Sequence, residues 1–126
     1  MEFPNNLKYT TDHEWIRVED RIGWVGITDY AQSELGDIVY IEIPALGTKI
    51  EQGKSFGTIE AVKAVSDLLA PVSGEIKEIN TDLKDHPEVV NKDPYRAGWM
   101  VKVSITDLDQ LNTHLDAQAY KSLIGK

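Results

Sequence analysis

The chain has no cysteine, so disulfides, thiolate nucleophiles and cysteine-based metal sites are all excluded. The protein has no redox chemistry of its own. Cations are scarce as well: 13 Lys and Arg stand against 21 Asp and Glu, for a formal net charge of −8. Phosphate contacts need clustered Lys and Arg, so this balance argues against a nucleic-acid binder and favours solubility and basic partner surfaces. No apolar run approaches the span of a membrane helix. The start, Met1-Glu2-Phe3-Pro4-Asn5-Asn6, has neither the basic-then-apolar layout of a signal peptide nor the Arg-rich character of a transit sequence. A cytoplasmic protein is expected, or a mature form whose targeting segment has been removed. His13, His86 and His114 are scattered, and His13-Glu14 lacks the i, i+4 histidine pair of a zinc-binding helix. There is no Gly-rich phosphate loop and no Gly-x-Ser-x-Gly elbow. Neither a catalytic residue nor a metal site is expected.

At 126 residues, 41% hydrophobic and 27% charged, the chain fits one compact domain spanning residues 1–126. Most of it reads as short strands. His13–Glu19 and Ile22–Ile27 are rich in β-branched and aromatic residues, and Asp20-Arg21 turns one into the other. Gly23 and Gly26 predict a bulge or close backbone packing. Thr28 reads as an N-cap, with Asp29 in the first turn, Ala31 and Leu35 at i, i+4 and Gly36 as the stop, giving a helix of about two turns. Val39, Ile41 and Ile43 alternate with Tyr40 and Glu42, which predicts a strand with those three residues inward. Further strands are expected at Lys49-Ile50, at Glu75–Asn80 and from Trp99 to Ile105, the last closing the sheet. The polar segment Thr81–Gly98, with Pro87 and Pro94, is expected to wrap the surface with a short helical turn. Thr106 and Asp116 read as caps of two C-terminal helices that cover a sheet edge. Closely spaced strands with Gly or Pro corners indicate a mainly β sandwich or barrel.

One stretch stands out, Gly57 to Gly74. Two strand-like runs, Thr58–Ala61 and Ala64–Ala70, meet at Val62-Lys63, so a single lysine sits at a hairpin tip. A lysine in a turn is most often only a solvated residue. An ε-amine that another enzyme must acylate, however, has to protrude from a tight and rigid backbone, and a hairpin within a sheet supplies one. Val62 and Ala64 leave the amine without a charged neighbour, while Glu60 and Asp67 lie within a few residues.

Together these motifs resemble the glycine cleavage H-protein family, lipoyl carriers built on the lipoyl/biotinyl hammerhead fold. The matching residues are Tyr9, His13-Glu14-Trp15-Ile16, Gly26-Ile27-Thr28-Asp29-Tyr30-Ala31-Gln32, Leu35-Gly36-Asp37 and Glu60-Ala61-Val62-Lys63-Ala64. They continue through Asp67, Ala70-Pro71-Val72-Ser73-Gly74, Val90-Asn91, Pro94-Tyr95 and Gly98-Trp99, in order, from about residue 7 to the end. The resemblance implies a barrel-sandwich hybrid with its core at about 7–105 and C-terminal helices at about 106–125. It implies lipoate joined as an amide to Lys63, with Glu60 read by the ligase. Glu14, Asp67 and Asp12 are expected to line a cleft for the aminomethyl-bearing arm.

The partners so implied are the pyridoxal-phosphate glycine decarboxylase (P protein), the tetrahydrofolate-dependent aminomethyltransferase (T protein) and the dihydrolipoyl dehydrogenase (L protein). A lipoate ligase or lipoyltransferase would load the arm. The chain itself would be a non-catalytic, monomeric shuttle, and the lack of cysteine suits it, since a thiol near the arm could exchange with the lipoyl disulfide. A biotin carrier shares Glu60-Ala61-x-Lys63 but usually has methionine on both sides of the lysine, where this chain has Val62 and Ala64. Ala61 departs from the serine frequent in the family and decides nothing. A hammerhead domain with Lys63 unmodified, acting only as a binding module, is the reading from another class.

Overall fold

The computed structural model describes residues 1–126. Two antiparallel sheets face each other across one apolar core. The larger is built from β1 (Lys8–Tyr9), β2 (Glu14–Glu19), β3 (Ile22–Ile27), β5 (Lys49–Ile50), β8 (Gly74–Ile79) and β9 (Val101–Ile105), in the order β1-β2-β3-β9-β8-β5. The smaller holds β4 (Ile38–Glu42), β6 (Ser55–Ala61) and β7 (Val65–Leu69), in the order β4-β6-β7. Ile16, Val25, Ile76 and Val103 from the first sheet meet Ile41, Ile59 and Leu68 from the second in a cluster of 18 buried residues. Such a core forms because period-2 patterning gives each strand one apolar face, and two such faces must cover each other.

The β2–β3 hairpin turns at Asp20-Arg21 as expected, with Asp20 in the left-handed region at φ 56°, which aspartate tolerates better than most residues. Its register is unbroken from Glu14↔Ile27 to Glu19↔Ile22, so Gly23 and Gly26 mark no bulge. Close packing is the reason for Gly26: a Cβ there would lie 2.8 Å from the Trp15 ring. Trp15 itself is buried and donates its indole N–H to the Pro94 carbonyl at 3.1 Å.

In β4 the alternation expected from the sequence fails at one point. A register shift between Ile38 and Tyr40 turns Val39 out to solvent, and Ile38 takes the inward place alongside Ile41. The bulge adds one residue to the strand and so reverses the faces on one side of it. β9 keeps its alternation, Val101, Val103 and Ile105 inward, but Met100 rather than Trp99 is buried before it. This strand lies inside the sheet, joining β3 to β8.

Residues 81–98 form two short helices, α2 (Asp82–Asp85) and α3 (Val89–Lys92), pinned to the core by Leu83 and Val90. α1 (Asp29–Leu35) starts and stops where the sequence predicts. Thr28 Oγ1 accepts from the Ala31 amide, and Gly36 ends the helix at φ 79°. At the C-terminus the first of the two helices differs from expectation. Residues Leu108–Thr113 form a 3₁₀-helix capped by Asp107, while Thr106 spends its hydroxyl on the Ser73 carbonyl. The second, α4 (Ala117–Leu123), is capped by Asp116 and packs on the β1 edge. Tyr9 and Leu115 exchange both backbone hydrogen bonds there, which occupies an edge that would otherwise be open. No helix is long and apolar enough to cross a membrane.

Gly26→Ala is expected to destabilise the protein by about 1–3 kcal/mol, because the added methyl must displace a buried indole. Chemical denaturation of the two proteins checks it, with a lower midpoint at unchanged slope as the expected result.

Candidate functional site

Lys63 lies at the tip of the β6–β7 hairpin. Its strands run Ser55–Ala61 and Val65–Leu69, so Ala64 belongs to the turn rather than to a strand. The Ala61 amide donates to the Ala64 carbonyl at 2.7 Å, closing the turn. From outside, Val62 N–H donates to the Asp37 carbonyl at 3.0 Å, so the turn is tied to the junction between α1 and β4. That junction is itself fixed by one side chain. Asn91 donates to the Gly36 carbonyl at 2.9 Å and to Gln32 Oε1 at 3.0 Å, and its own Oδ1 accepts from the Ile38 amide at 3.0 Å. A half-buried amide that satisfies three partners on two elements orients them firmly.

The lysine is exposed and has neither an ion pair nor a hydrogen bond. Every other charged contact of the protein lies elsewhere. Its stem lies along the end of α1, with Cε 3.4 Å from where a Cβ on Gly36 would stand.

Beside it opens a cleft of about 250 Å³, walled by the start of β2, by α1 and by β7. Ile27, Ala31, Leu35, Ile59 and Leu68 give it an apolar floor. Asp12, His13, Glu14, Glu34 and Asp67 supply the polar groups. Of the residues singled out in the sequence, Asp12, Glu14 and Asp67 are thus brought to one cavity. Glu60 is not: it pairs with Tyr40 and Val65 across the exposed outer face of the smaller sheet.

The three cleft carboxylates have different environments. Asp12 and Asp67 are exposed at the rim, whereas Glu14 is only 3% exposed. Glu14 Oε1 accepts from the Thr10 hydroxyl at 3.0 Å and Oε2 from the Leu69 amide at 3.3 Å. Burial nevertheless dominates these bonds and pushes the carboxyl up to about 8. Near neutrality it is largely protonated. His13 takes a left-handed backbone at φ 71°, its ring lies 5.1 Å from that of Tyr30, and burial lowers its pKa despite Asp12 and Glu34.

Several of these residues are not legible as site residues in the sequence. There His13 and Tyr30 stand only among the residues of the family pattern, with no role at a cleft, and nothing singles out Thr10 or Glu34. The one available signal is the N-cap at Thr28, which fixes the phase of α1 and hence which of its residues share a face.

The match to known proteins covers the whole of this geometry. A family model described as glycine cleavage H-protein matches residues 7–126. A glycine cleavage system H protein of Bacteroides thetaiotaomicron is 56% identical over 125 residues, which is 99% of each chain. One from Bacteroides fragilis is 52% identical over the same share. The crystal structure of a glycine cleavage system H protein from Mycobacterium marinum superposes with a TM-score of 0.92 at 39% identity, covering 98% of this chain and all of that one. The mainly β hammerhead architecture expected from the sequence is therefore the fold.

The Glu14 carboxyl sets a pH dependence of stability. Its folded-state pKa lies above the ordinary 4.5, so the native state holds the proton more tightly than the unfolded chain, and stability falls as pH rises from about 4.5 through about 8. Glu14→Gln keeps the shape and removes the ionisation. It is expected to match the parent near pH 5 and to exceed it by a few kcal/mol at pH 9, since each pH unit between the folded and unfolded titrations is worth about 1.4 kcal/mol. Denaturation midpoints of both proteins across that range measure the difference.

Proposed function

We propose, for a chain that belongs to the glycine cleavage H-protein family and is thereby a lipoyl carrier of the glycine cleavage system, that Lys63 is the residue bearing the lipoyl group. One observation carries this reading: the Lys63 amine is unpaired on a turn closed on itself and tied to Asp37, and its stem lies against Gly36, next in the chain to Leu35 of a cleft with an apolar floor and carboxylate walls. The residues suit such an arm. Joined as an amide, lipoate supplies a reducible disulfide at the end of a long flexible tether.

In this reading the chain's own residues bind and shield. Ile27, Leu35, Ile59 and Leu68 take the aliphatic part and keep water out, while Glu14, Asp67 and Asp12 hold the cationic amine of the aminomethyl cargo. Glu14 suits the task because a cation entering the cleft favours its ionised form. Its burial then makes the pair strong, since little water competes for either charge. Asp67 and Asp12 at the rim contribute field more than contact.

The chain acts as one non-catalytic domain, core about 7–105 and helices about 106–125, and shuttles as a monomer. Its cargo passes from the pyridoxal-phosphate glycine decarboxylase to the tetrahydrofolate-dependent aminomethyltransferase, and its electrons pass to the dihydrolipoyl dehydrogenase. A lipoate ligase or lipoyltransferase loads Lys63 beforehand, with Glu60 on the outer face of the hairpin as a recognition mark. These encounters take place in the cytoplasm.

The surface around the hairpin favours basic partners. Between Ile22 and Thr48 there is no Lys or Arg, and between Ser55 and Ile76 Lys63 stands alone, while Asp29, Glu34, Asp37, Glu42, Glu60 and Asp67 fall in those stretches. Acylation of Lys63 removes the single cation.

Mass spectrometry of protein from its native cells is expected to find a lipoyl amide at Lys63, and Lys63→Arg to abolish glycine-dependent carriage while the fold persists. A biotinyl mass at Lys63 would move the protein to carboxylase chemistry, and a consistently bare lysine would sink the carrier role. Association with the decarboxylase, followed by stopped flow, is expected to slow roughly tenfold between low and high salt. A rate indifferent to salt would rule out electrostatic recruitment.

A further inference from the structure

The geometry points to Tyr120, outside the cleft, as the positioning residue that fixes the His13 side chain against the N-cap of α1 and so sets how long a loaded arm is shielded. The inference rests on the cleft reading above. Tyr120 is in α4 and fully buried, yet it is not among the cleft's lining residues. Its ring stacks on Tyr9 at 4.8 Å and 10°, and Phe3 lies 6.0 Å away. Phenylalanine would serve that packing equally well.

The hydroxyl is what packing leaves unexplained. A buried hydroxyl is costly unless it finds partners, and this one finds two. It lies 2.7 Å from Thr28 Oγ1 and 2.9 Å from His13 Nδ1. Thr28 is the N-cap of α1, the helix that brings Tyr30, Glu34 and Leu35 to the cleft. His13 belongs to the adjoining wall, next to Glu14, and its carbonyl already accepts the Thr28 N–H at 3.0 Å. The backbone bond sets the two segments, and the Tyr120 oxygen adds the link that holds the His13 ring and the Thr28 hydroxyl from behind.

His13 also needs such a tie. At φ 71° its backbone sits in a region that non-glycine residues leave readily unless the surroundings hold them. The Tyr30 ring restrains the imidazole on one side and the Tyr120 hydroxyl on the other. The phenol is pushed up to about 12 by burial, so it keeps its proton under all physiological conditions. The groups facing the His13 ring are thus Tyr120 from α4, Tyr30 and Glu34 from α1, and Asp12 and Glu14 on its own segment.

The test is Tyr120→Phe in the full chain, which keeps the ring and removes the oxygen. In the unlipoylated protein, ¹⁵N NMR of the imidazole is expected to show the fixed His13 tautomer giving way to exchange between the two. In the lipoylated protein, release of the aminomethyl cargo to solvent is expected to quicken roughly two- to tenfold, the range one buried hydrogen bond supports. The rate of Lys63 lipoylation is expected to stay unchanged. An unaltered His13 tautomer with an unaltered cargo lifetime overturns the proposal.

Glu14→Ala, run in parallel, separates the two readings. If it shortens the cargo lifetime and Tyr120→Phe does not, the role of Tyr120 falls and the cleft stands; if neither variant shortens it, the cleft reading falls. Should Tyr120→Phe fail to fold, the parent protein still decides: a His13 ring already exchanging between tautomers overturns the proposal, and a single tautomer with a slowly exchanging Tyr120 hydroxyl proton supports it.

Discussion

The fold depends on one core shared by two sheets. Ile59 and Leu68 of the β6–β7 hairpin pack against residues of the larger sheet, so the hairpin cannot flex as an isolated two-stranded ribbon would. Because its strands are fixed at the base, the turn must project, and its position is then refined by the Val62 bond to Asp37 and by the Asn91 bridge behind it. Rigid strands with a free amine at the tip suit the attachment proposed at Lys63: a partner enzyme would meet a lysine already in place and lose little ordering entropy on binding.

A second constraint works against stability. Glu14 is buried where an apolar residue would be more favourable, and its displaced pKa measures that penalty. The protein tolerates it because Thr10 and the Leu69 amide satisfy both oxygens. Strain sits next to it, in the left-handed backbone of His13. A destabilised carboxyl and a strained neighbour in one cleft form the pattern expected where an interaction is reserved for a ligand rather than for the fold. The elements around them are correspondingly well tied, from the Thr28 cap in front to the stacked Tyr9–Tyr120 pair behind.

The face around the lysine hairpin is acidic by arrangement as well as by composition. The ion pairs of the protein join residues such as Arg17 with Glu19 and Lys102 with Glu78, away from the hairpin. Carboxylates such as Glu42, Glu60 and Asp67 are left without a cationic partner. Field from unpaired charges reaches about a Debye length beyond the surface, roughly 8–10 Å at ordinary salt. A basic partner of the kind proposed would be oriented by that field before contact.

The sequence by itself determined the strands, the α1 caps, the lysine hairpin and the family, because each is written in short-range pattern: alternation, a Thr28 to Gly36 frame, and motifs in fixed order. Through resemblance it also grouped Glu14, Asp67 and Asp12, the three carboxylates that the fold brings to one cavity. Local pattern misread Val39, Thr106 and the C-terminal 3₁₀-helix, where a bulge or a distant carbonyl overrode propensity. Only the tertiary structure decided that Glu14 is buried with its pKa pushed up, that Glu60 faces away from the cleft, and that Tyr120 reaches His13 across 107 positions of chain. The physical reason is common to all three: desolvation and hydrogen bonding depend on what surrounds a group in space, and those neighbours come from strands and helices far apart in sequence.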